Sequence, residues 1–372
     1  MTKQHKLHGW HLSYFAGKAR CYLTYKAIPF IDEPVNLYNL TYKIYKETGA
    51  RVMPVLETKE GEWLQDTRNI IDRMEQRYLE PSVFPTGAKR RFVSSLFEAW
   101  GDEWWMPMAM HTRWSYNENY PLFEKDAGDA LLPFAPRFIK NMAVAKVIVP
   151  VLRSYCPRVG IIPEQFKMME DWSVDMLAKI NQHFGQHPYL LGDRPMLGDF
   201  GLVGTMYGHL GRDPWPKRNW IDPLPNLRNW IDRMASMSYL EVQEKYPLLD
   251  HGNDFVPETL TPILKSIFSE FVPMVNGIND LLIQKKDGFS KDRPLPRGIG
   301  SVTCPMGENS FTREALPFIL WKVQGVLDEF YSNTPEDQAM IREWLAPLNA
   351  KALLDMAIPR LERVALKVKL VN

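Results

Sequence analysis

The 372-residue sequence predicts a small α/β layer at the N-terminus followed by a long, mainly helical remainder, and three observations carry that prediction. Up to about residue 80, short apolar runs alternate with helical periodicity. Beyond a connecting stretch that holds Pro81, Pro85 and Gly87, the helical pattern lengthens and becomes rich in Trp and Met. The segment 251–372 changes style again, with a charged linker and a strand-like run set between helical stretches.

The N-terminal elements follow from local chemistry. Leu7-His8-Gly9 reads as a strand, and 15–26 as a helix with Ala19, Tyr22, Leu23 and Lys26 on one side. Pro29-Phe30 and Glu33-Pro34-Val35-Asn36 form a second extended piece. Val52 to Leu56 and Glu62 to Leu64 make a hairpin around Lys59-Glu60-Gly61. Asp66 or Thr67 then opens a helix that runs to Tyr78 and stops at Glu80-Pro81. Strand, helix, strand, then hairpin and helix, is the order of a thioredoxin-like layer, with expected limits 1–82.

Helices are expected over 90–114, 138–152, 163–184, 199–211 and 226–237, which together make an all-α domain over 88–250. Trp104 and Trp105 are adjacent, so one of them is expected to leave the core. The remainder, 251–372, reads as a mainly helical extension. Helix is expected over 258–284, a linker over 285–297, a strand at Ile299 to Thr303, and helix again over 311–331 and 335–366. The pentapeptide Arg-Asn-Trp-Ile-Asp occurs at 218 and again at 228, but Pro223 and Pro225 between the copies argue against a structural repeat.

Composition removes several function classes. The formal net charge is +1, from 45 basic and 44 acidic residues, so no overall field draws the chain to nucleic acid or to an anionic membrane. No Lys/Arg block is interleaved with aromatics. Cys21, Cys156 and Cys304 form no C-x-x-C pair, which fits a reducing compartment rather than a disulfide framework. The first six residues lack the apolar segment of a signal peptide. The run 142–152, interrupted by Lys146 and Pro150, is too short to span a bilayer. The expectation is a soluble, cytoplasmic protein.

Four motifs in order resemble the glutathione transferase superfamily. Leu7-x-Gly9-x-x-x-Ser13-Tyr14-Phe15-x-x-Lys18-x-Arg20-x-x-Leu23 is similar to its opening, except that Tyr14 stands where many serine-type members carry proline. Gly49-x-x-x-Met53-Pro54-Val55-Leu56 resembles its G-x-V-P-V-L strand. Leu64-x-Asp66-Thr67-x-x-Ile70 resembles its L-x-E/D-S-x-x-I helix start. Tyr189-Leu190-Leu191-Gly192-Asp193-Arg194-Pro195-x-Leu197-Gly198-Asp199-Phe200 is similar to its F-L-x-G-x-x-P-S-x-A-D sequence. The likeness covers about 1–250 and leaves the extension without an assigned role.

The resemblance implies roles that each have a plainer counterpart. Ser13 would donate a hydrogen bond to a bound thiolate, or it simply caps the helix. Tyr14 is the rival catalytic hydroxyl, and His11 an exposed loop histidine. A cis bond at Met53-Pro54 would present the Met53 backbone to glutathione as an added strand. Asp66 and Thr67 suit the γ-glutamyl end, or form an ordinary capping pair. Gln65 adds amide contacts, and Arg51 or Arg68 meets the glycyl carboxylate. Trp104, Trp105, Met108, His111 and Trp114, with Tyr116, would wall a site for a hydrophobic electrophile, or serve as core. Asp199 matches a buried folding-signal acid, although Met196 breaks the reciprocal capping box. His183 and His187 lie four apart without a third ligand, so no metal site is expected, and no phosphate loop occurs.

The activity implied is attack of glutathione, as co-substrate, on a hydrophobic and aromatic electrophile, in a homodimer without nucleic acid or a membrane span. The alternative is a non-catalytic binding or interaction protein of the same fold, with the cradle vestigial. A glutathione-dependent reductase would need a cysteine near Ser13, and Cys21 lies two turns into the helix.

Overall fold

The computed structural model describes residues 4–246 and 254–371; the expected domain boundary at 250 and the first three residues lie outside them. His5–Gly9 forms β1, Tyr14–Tyr25 α1 and Phe30–Pro34 β2. Residues 39–48 are helical (α2), in a stretch for which no element was expected. Leu40 and Ile44, four apart, turn toward Val35 and Val55, and Gly49 closes the helix at φ 70°. Val55–Glu57 (β3), Trp63–Gln65 (β4) and Thr67–Glu75 (α3) complete the layer. The sheet order is β2-β1-β3-β4, with β1 and β2 parallel and β3 antiparallel to both its neighbours. This is the thioredoxin-like arrangement, and the Met53–Pro54 bond is cis.

The helical remainder departs from expectation at its start. Ala88–Glu103 (α4) and Met106–Ser115 (α5) replace the single helix expected over 90–114. Neighbours on an unbroken helix diverge by about 100°. The break at Trp104 and Trp105 removes that divergence, so both rings stay inside, 1% and 0% exposed, and both pack on Trp172. Neither leaves the core. Tyr120–Leu131 (α6), residues 137–153 (α7), Pro163–Phe184 (α8) and residues 197–210 (α9) follow. Pro225–Ser236 (α10) and Tyr239–Lys245 (α11) close this part of the chain.

The C-terminal segment contains two hairpins; the strand expected at Ile299 to Thr303 belongs to the first, but its partner strand and most of the second hairpin fall where helix was expected. After a helix over 261–285 (α12), Ser301–Met306 (β5) pairs with Asn309–Glu314 (β6) around Gly307, and only then does Pro317–Tyr331 (α13) begin. Phe311 and Arg313 alternate inward with Ser310 and Thr312 outward, the period of two of a strand. Pro335–Leu345 (α14) is helical, but Leu361–Val364 (β7) and Lys367–Leu370 (β8) form a hairpin beyond Pro359, where helix was expected to 366.

The chain divides into two compact units. One gathers 1–83, 109–156 and 200–248; the other gathers 84–108, 157–199 and 249–372. Within the second, the C-terminal segment is knit to α4 and α8 by buried polar contacts. Gly87 precedes α4 with no side chain to cap it, and the Asp254 carboxylate accepts from Lys89 N at 2.5 Å and Arg90 N at 2.8 Å. Lys322 of α13 donates to Asp102 at 3.0 Å and lies 3.6 Å from Glu98, all three buried. Trp172 donates to Glu270 at 2.7 Å, and the Gln165 amide bonds the Thr312 backbone at 2.7 and 3.0 Å.

The start of α9 shows how a missing cap is replaced. Met196 precedes α9 and has no hydroxyl to offer. Asp199 still accepts from Met196 N and Leu190 N, each at 3.0 Å, while Ser94 of α4 accepts from Gly198 N at 3.0 Å. Asp199→Ala strands two buried N–H groups and is expected to cost about 3 kcal/mol of unfolding free energy. Ser94→Ala is expected to cost about 1 kcal/mol. Denaturant titration measures both, and a loss below about 1 kcal/mol for Asp199→Ala contradicts the assigned role.

Candidate functional site

The sheet register creates a row of three residues at one end of the thioredoxin-like layer. His8 pairs with Val55, and Val55 with Gln65, so Gly9, Pro54 and Asp66 lie next to one another beyond the last pairs. Gly9 admits no side chain: a Cβ there would sit 2.7 Å from the Ala16 Cβ in α1 and 4.0 Å from the Pro54 Cβ. Strand, proline and the first turn of α1 approach closely because that position is glycine. Pro54 has no N–H to donate. The Met53 N–H and C=O have no hydrogen-bond partner among the described residues. The edge therefore offers one donor and one acceptor side by side.

Both helix starts face this row in sequence and in register. Ser13 caps α1, and its Oγ accepts from Ala16 N at 3.3 Å. The remaining first-turn N–H groups and the positive end of the helix dipole lie at the same place. Asp66 caps α3, accepting from Arg68 N at 2.9 Å and Asn69 N at 3.4 Å. Its backbone sits at φ 75°, a region that disfavours any residue but glycine and often marks function. Thr67 and Gln65 are buried beside it, and Arg68 pairs with Asp72 at 2.8 Å.

Other expected residues are placed elsewhere. Tyr14 is packed against α9: a Cβ on Gly204 would lie 3.0 Å from its ring, and one on Gly208 3.0 Å from its Cα. Arg51 is exposed over the Tyr45 ring at 5.4 Å, makes no ion pair among the described residues, and lines an open groove of about 770 Å³. Leu37, Tyr38, Tyr42, Leu131 and Phe134 also line that groove; Ser13, Met53 and Asp66 do not. Trp104, Trp105 and Met108 lie in the core of the second unit, whereas His111 and Trp114 belong to the first. The expected electrophile wall is thus divided between units. Trp114 is half-buried, edge-on to Phe123 at 4.9 Å. Cys21 is fully buried, and burial pushes its thiol up to about 12, so it is no thiolate.

One arrangement had no counterpart in the motifs. Arg113 donates to both Asp213 oxygens at 2.8 and 2.9 Å, to the Leu12 carbonyl at 2.8 Å and to His209 Nε2 at 2.8 Å. The loop that presents Ser13 is therefore fastened one residue upstream by a buried arginine. Asp213 lies 100 positions from Arg113, and no spacing in the sequence announces the pair.

Two family models match the sequence: a glutathione S-transferase N-terminal domain over 7–82 and a glutathione S-transferase C-terminal domain over 174–233. No curated protein matches it. Among solved structures, the beta-etherase LigF from Sphingobium sp. strain SYK-6 is 17% identical, with a TM-score of 0.47 over 66% of this chain and 100% of that one. A glutathione S-transferase from Methylobacterium radiotolerans, in complex with glutathione sulfonate, is 18% identical, with a TM-score of 0.39 over 68% and 100%. FzlA from C. crescentus is 19% identical, with a TM-score of 0.40 over 63% and 88%.

Buried imidazoles give the molecule a defined acid response. His209 donates from Nδ1 to the Ala109 carbonyl at 3.2 Å and accepts from Arg113, which requires the neutral ring. Burial, then Arg113, holds its pKa well below the usual value. Burial, with His187 stacked beside it, lowers His183 to about 3. Because the unfolded chain binds protons more readily at both, their stability contribution is complete above about pH 6.5 and is lost as pH falls toward the folded values. Stability is expected to fall by about 1.4 kcal/mol per pH unit for each histidine below that point. Calorimetry from pH 7.5 to 4.5 tests this, with His209→Gln expected to flatten the slope; an unchanged slope contradicts the neutral assignment.

Proposed function

Starting from a chain that belongs to the glutathione transferase superfamily, we propose that it binds glutathione in extended form along the Gly9–Pro54–Asp66 row. The observation that carries this reading is the unpaired N–H and C=O of Met53, which a peptide ligand can complete as an added strand. The cysteinyl unit then pairs with Met53 beside Pro54. The γ-glutamyl carboxylate meets the N-terminus of α3 at Thr67, and its ammonium meets Asp66. Gln65 contributes amide contacts, and Arg51, which has no ion pair among the described residues, takes the glycyl carboxylate.

The sulfur in this pose points at the start of α1. A serine hydroxyl is too weak an acid or base to carry the proton away. Ser13 instead donates to the thiolate, and the α1 dipole adds to the effect. A two-unit fall in the thiol pKa raises thiolate at pH 7 from a few per cent to a majority, worth about 2.7 kcal/mol. The proposed reaction is attack of that thiolate on a hydrophobic, aromatic electrophile, in a cytoplasmic homodimer. Tyr14 is not the preferred donor, because its ring is packed against α9. Of the expected wall, Trp114 and Tyr116 are half-buried and are the residues best able to meet a ligand.

Binding without turnover has one observation in its favour: Ser13 and Asp66 are already engaged as helix caps. Millimolar glutathione is expected to raise the melting temperature, and no shift rejects the cradle. Conjugation of a generic aryl halide is the expected activity. Ser13→Ala should lower kcat at least roughly tenfold while leaving glutathione affinity nearly unchanged. A thermal shift without conjugation selects the binding module, and an unchanged kcat in Ser13→Ala removes Ser13 from the chemistry.

A further inference from the structure

Helix α7 is apolar on two sides. Its inner side buries Val144 and Val149 against Leu12, Phe123 and Ala127. Outward, Phe138, Met142, Val147 and Val151 are exposed, with Phe134 just before the helix. Phe134 is 99% and Phe138 71% exposed. These five follow one another at intervals of four or five residues, and a widened turn at Val144–Ile148 accommodates the five-residue step. Over 17 residues the ridge runs about 25 Å. Exposed apolar surface of this extent marks a contact.

The charge around the ridge identifies what it contacts. Residues 130–156 hold four basic side chains and no acidic one, in a chain whose total is +1. Arg137 and Lys140 both pair with Asp129, just before the stretch. Lys146 and Arg153 make no ion pair among the described residues; Arg153 rests over the Trp114 ring at 5.7 Å. A second copy of the chain fits poorly, because a two-fold contact would bring these cations together with no carboxylate of 130–156 to meet them. Among the described residues, no helix is long and apolar enough to cross a membrane, so the ridge can only lie along one.

We propose that α7 is a peripheral membrane-docking element, which seats Phe134, Phe138, Met142, Val147 and Val151 in the headgroup–acyl boundary of an anionic bilayer. Lys146 and Arg153 supply the attraction to acidic headgroups. A near-neutral molecule is thereby directed by a local asymmetry rather than by its overall field.

The test is sedimentation of the full chain with vesicles of phosphatidylcholine alone or with phosphatidylserine added. Binding is expected to the serine-lipid vesicles and to weaken at high salt. Phe138→Ser should lower the partition coefficient about tenfold or more. Lys146→Glu should lower it at least about fivefold on anionic vesicles and leave neutral ones unaffected. Both side chains are exposed, so an unchanged melting temperature certifies the fold of each variant. No sedimentation, or sedimentation insensitive to both variants, overturns the proposal. It is also overturned if light scattering finds a dimer that Phe138→Ser splits, since a second copy then covers the ridge.

Discussion

The end of the β1–β3 ladder at His8 and Val55 is the constraint on which the site depends. One residue further, Gly9 contributes no side chain and Pro54 no N–H, so pairing stops while the two strands remain close. Regular sheet would have consumed the Met53 backbone groups. Their release, between the N-termini of α1 and α3, sets unpaired peptide groups next to two positive helix ends. Neither feature selects a ligand alone. Together they favour an extended peptide with a carboxylate at one end and an ionisable group in the middle.

Holding that end of the sheet in shape falls to residues that do not line it. Arg113 ties the Leu12 carbonyl to Asp213 and His209, and burial makes the arrangement unforgiving. Removing one partner would leave a buried charge unmatched, a cost of several kcal/mol, whereas the intact pair adds little net stability. The gain is a fixed loop geometry. In the second unit, Lys322 between Asp102 and Glu98 and Glu270 beneath Trp172 tie chain segments far apart in sequence. Residues 254–371 thus share a core with α4 and α8 rather than trailing behind them.

Legibility followed the range of the determining interactions. Ser13 and Asp66 were readable as helix starts because capping is settled within three residues. Helix α8 was readable end to end, from Pro163 to Phe184, because its apolar period is uninterrupted. Helix α2 was missed although Leu40, Ile44 and Gly49 mark it, since its Tyr and Asn residues carry little helix preference. The strand near 301 was read, but the strand that pairs with it from Asn309 and the strand at 361–364 were taken for helix, because runs of four to six residues lack a long enough alternation to stand out. The Trp104–Trp105 break has one local sign, Pro107 in the first turn of α5, which the helix expected over 90–114 ran through.

By itself the sequence determined the thioredoxin-like order, the two capped helix starts and the proline that ends a ladder, since each is encoded within a few residues by backbone chemistry. Tertiary structure decided that Tyr14, Trp104 and Trp105 would be packing, that Arg113 would hold the Ser13 loop, and that α7 would keep an apolar side exposed. Those outcomes depend on which distant surfaces meet, and burial is a property of the assembled chain rather than of any residue type.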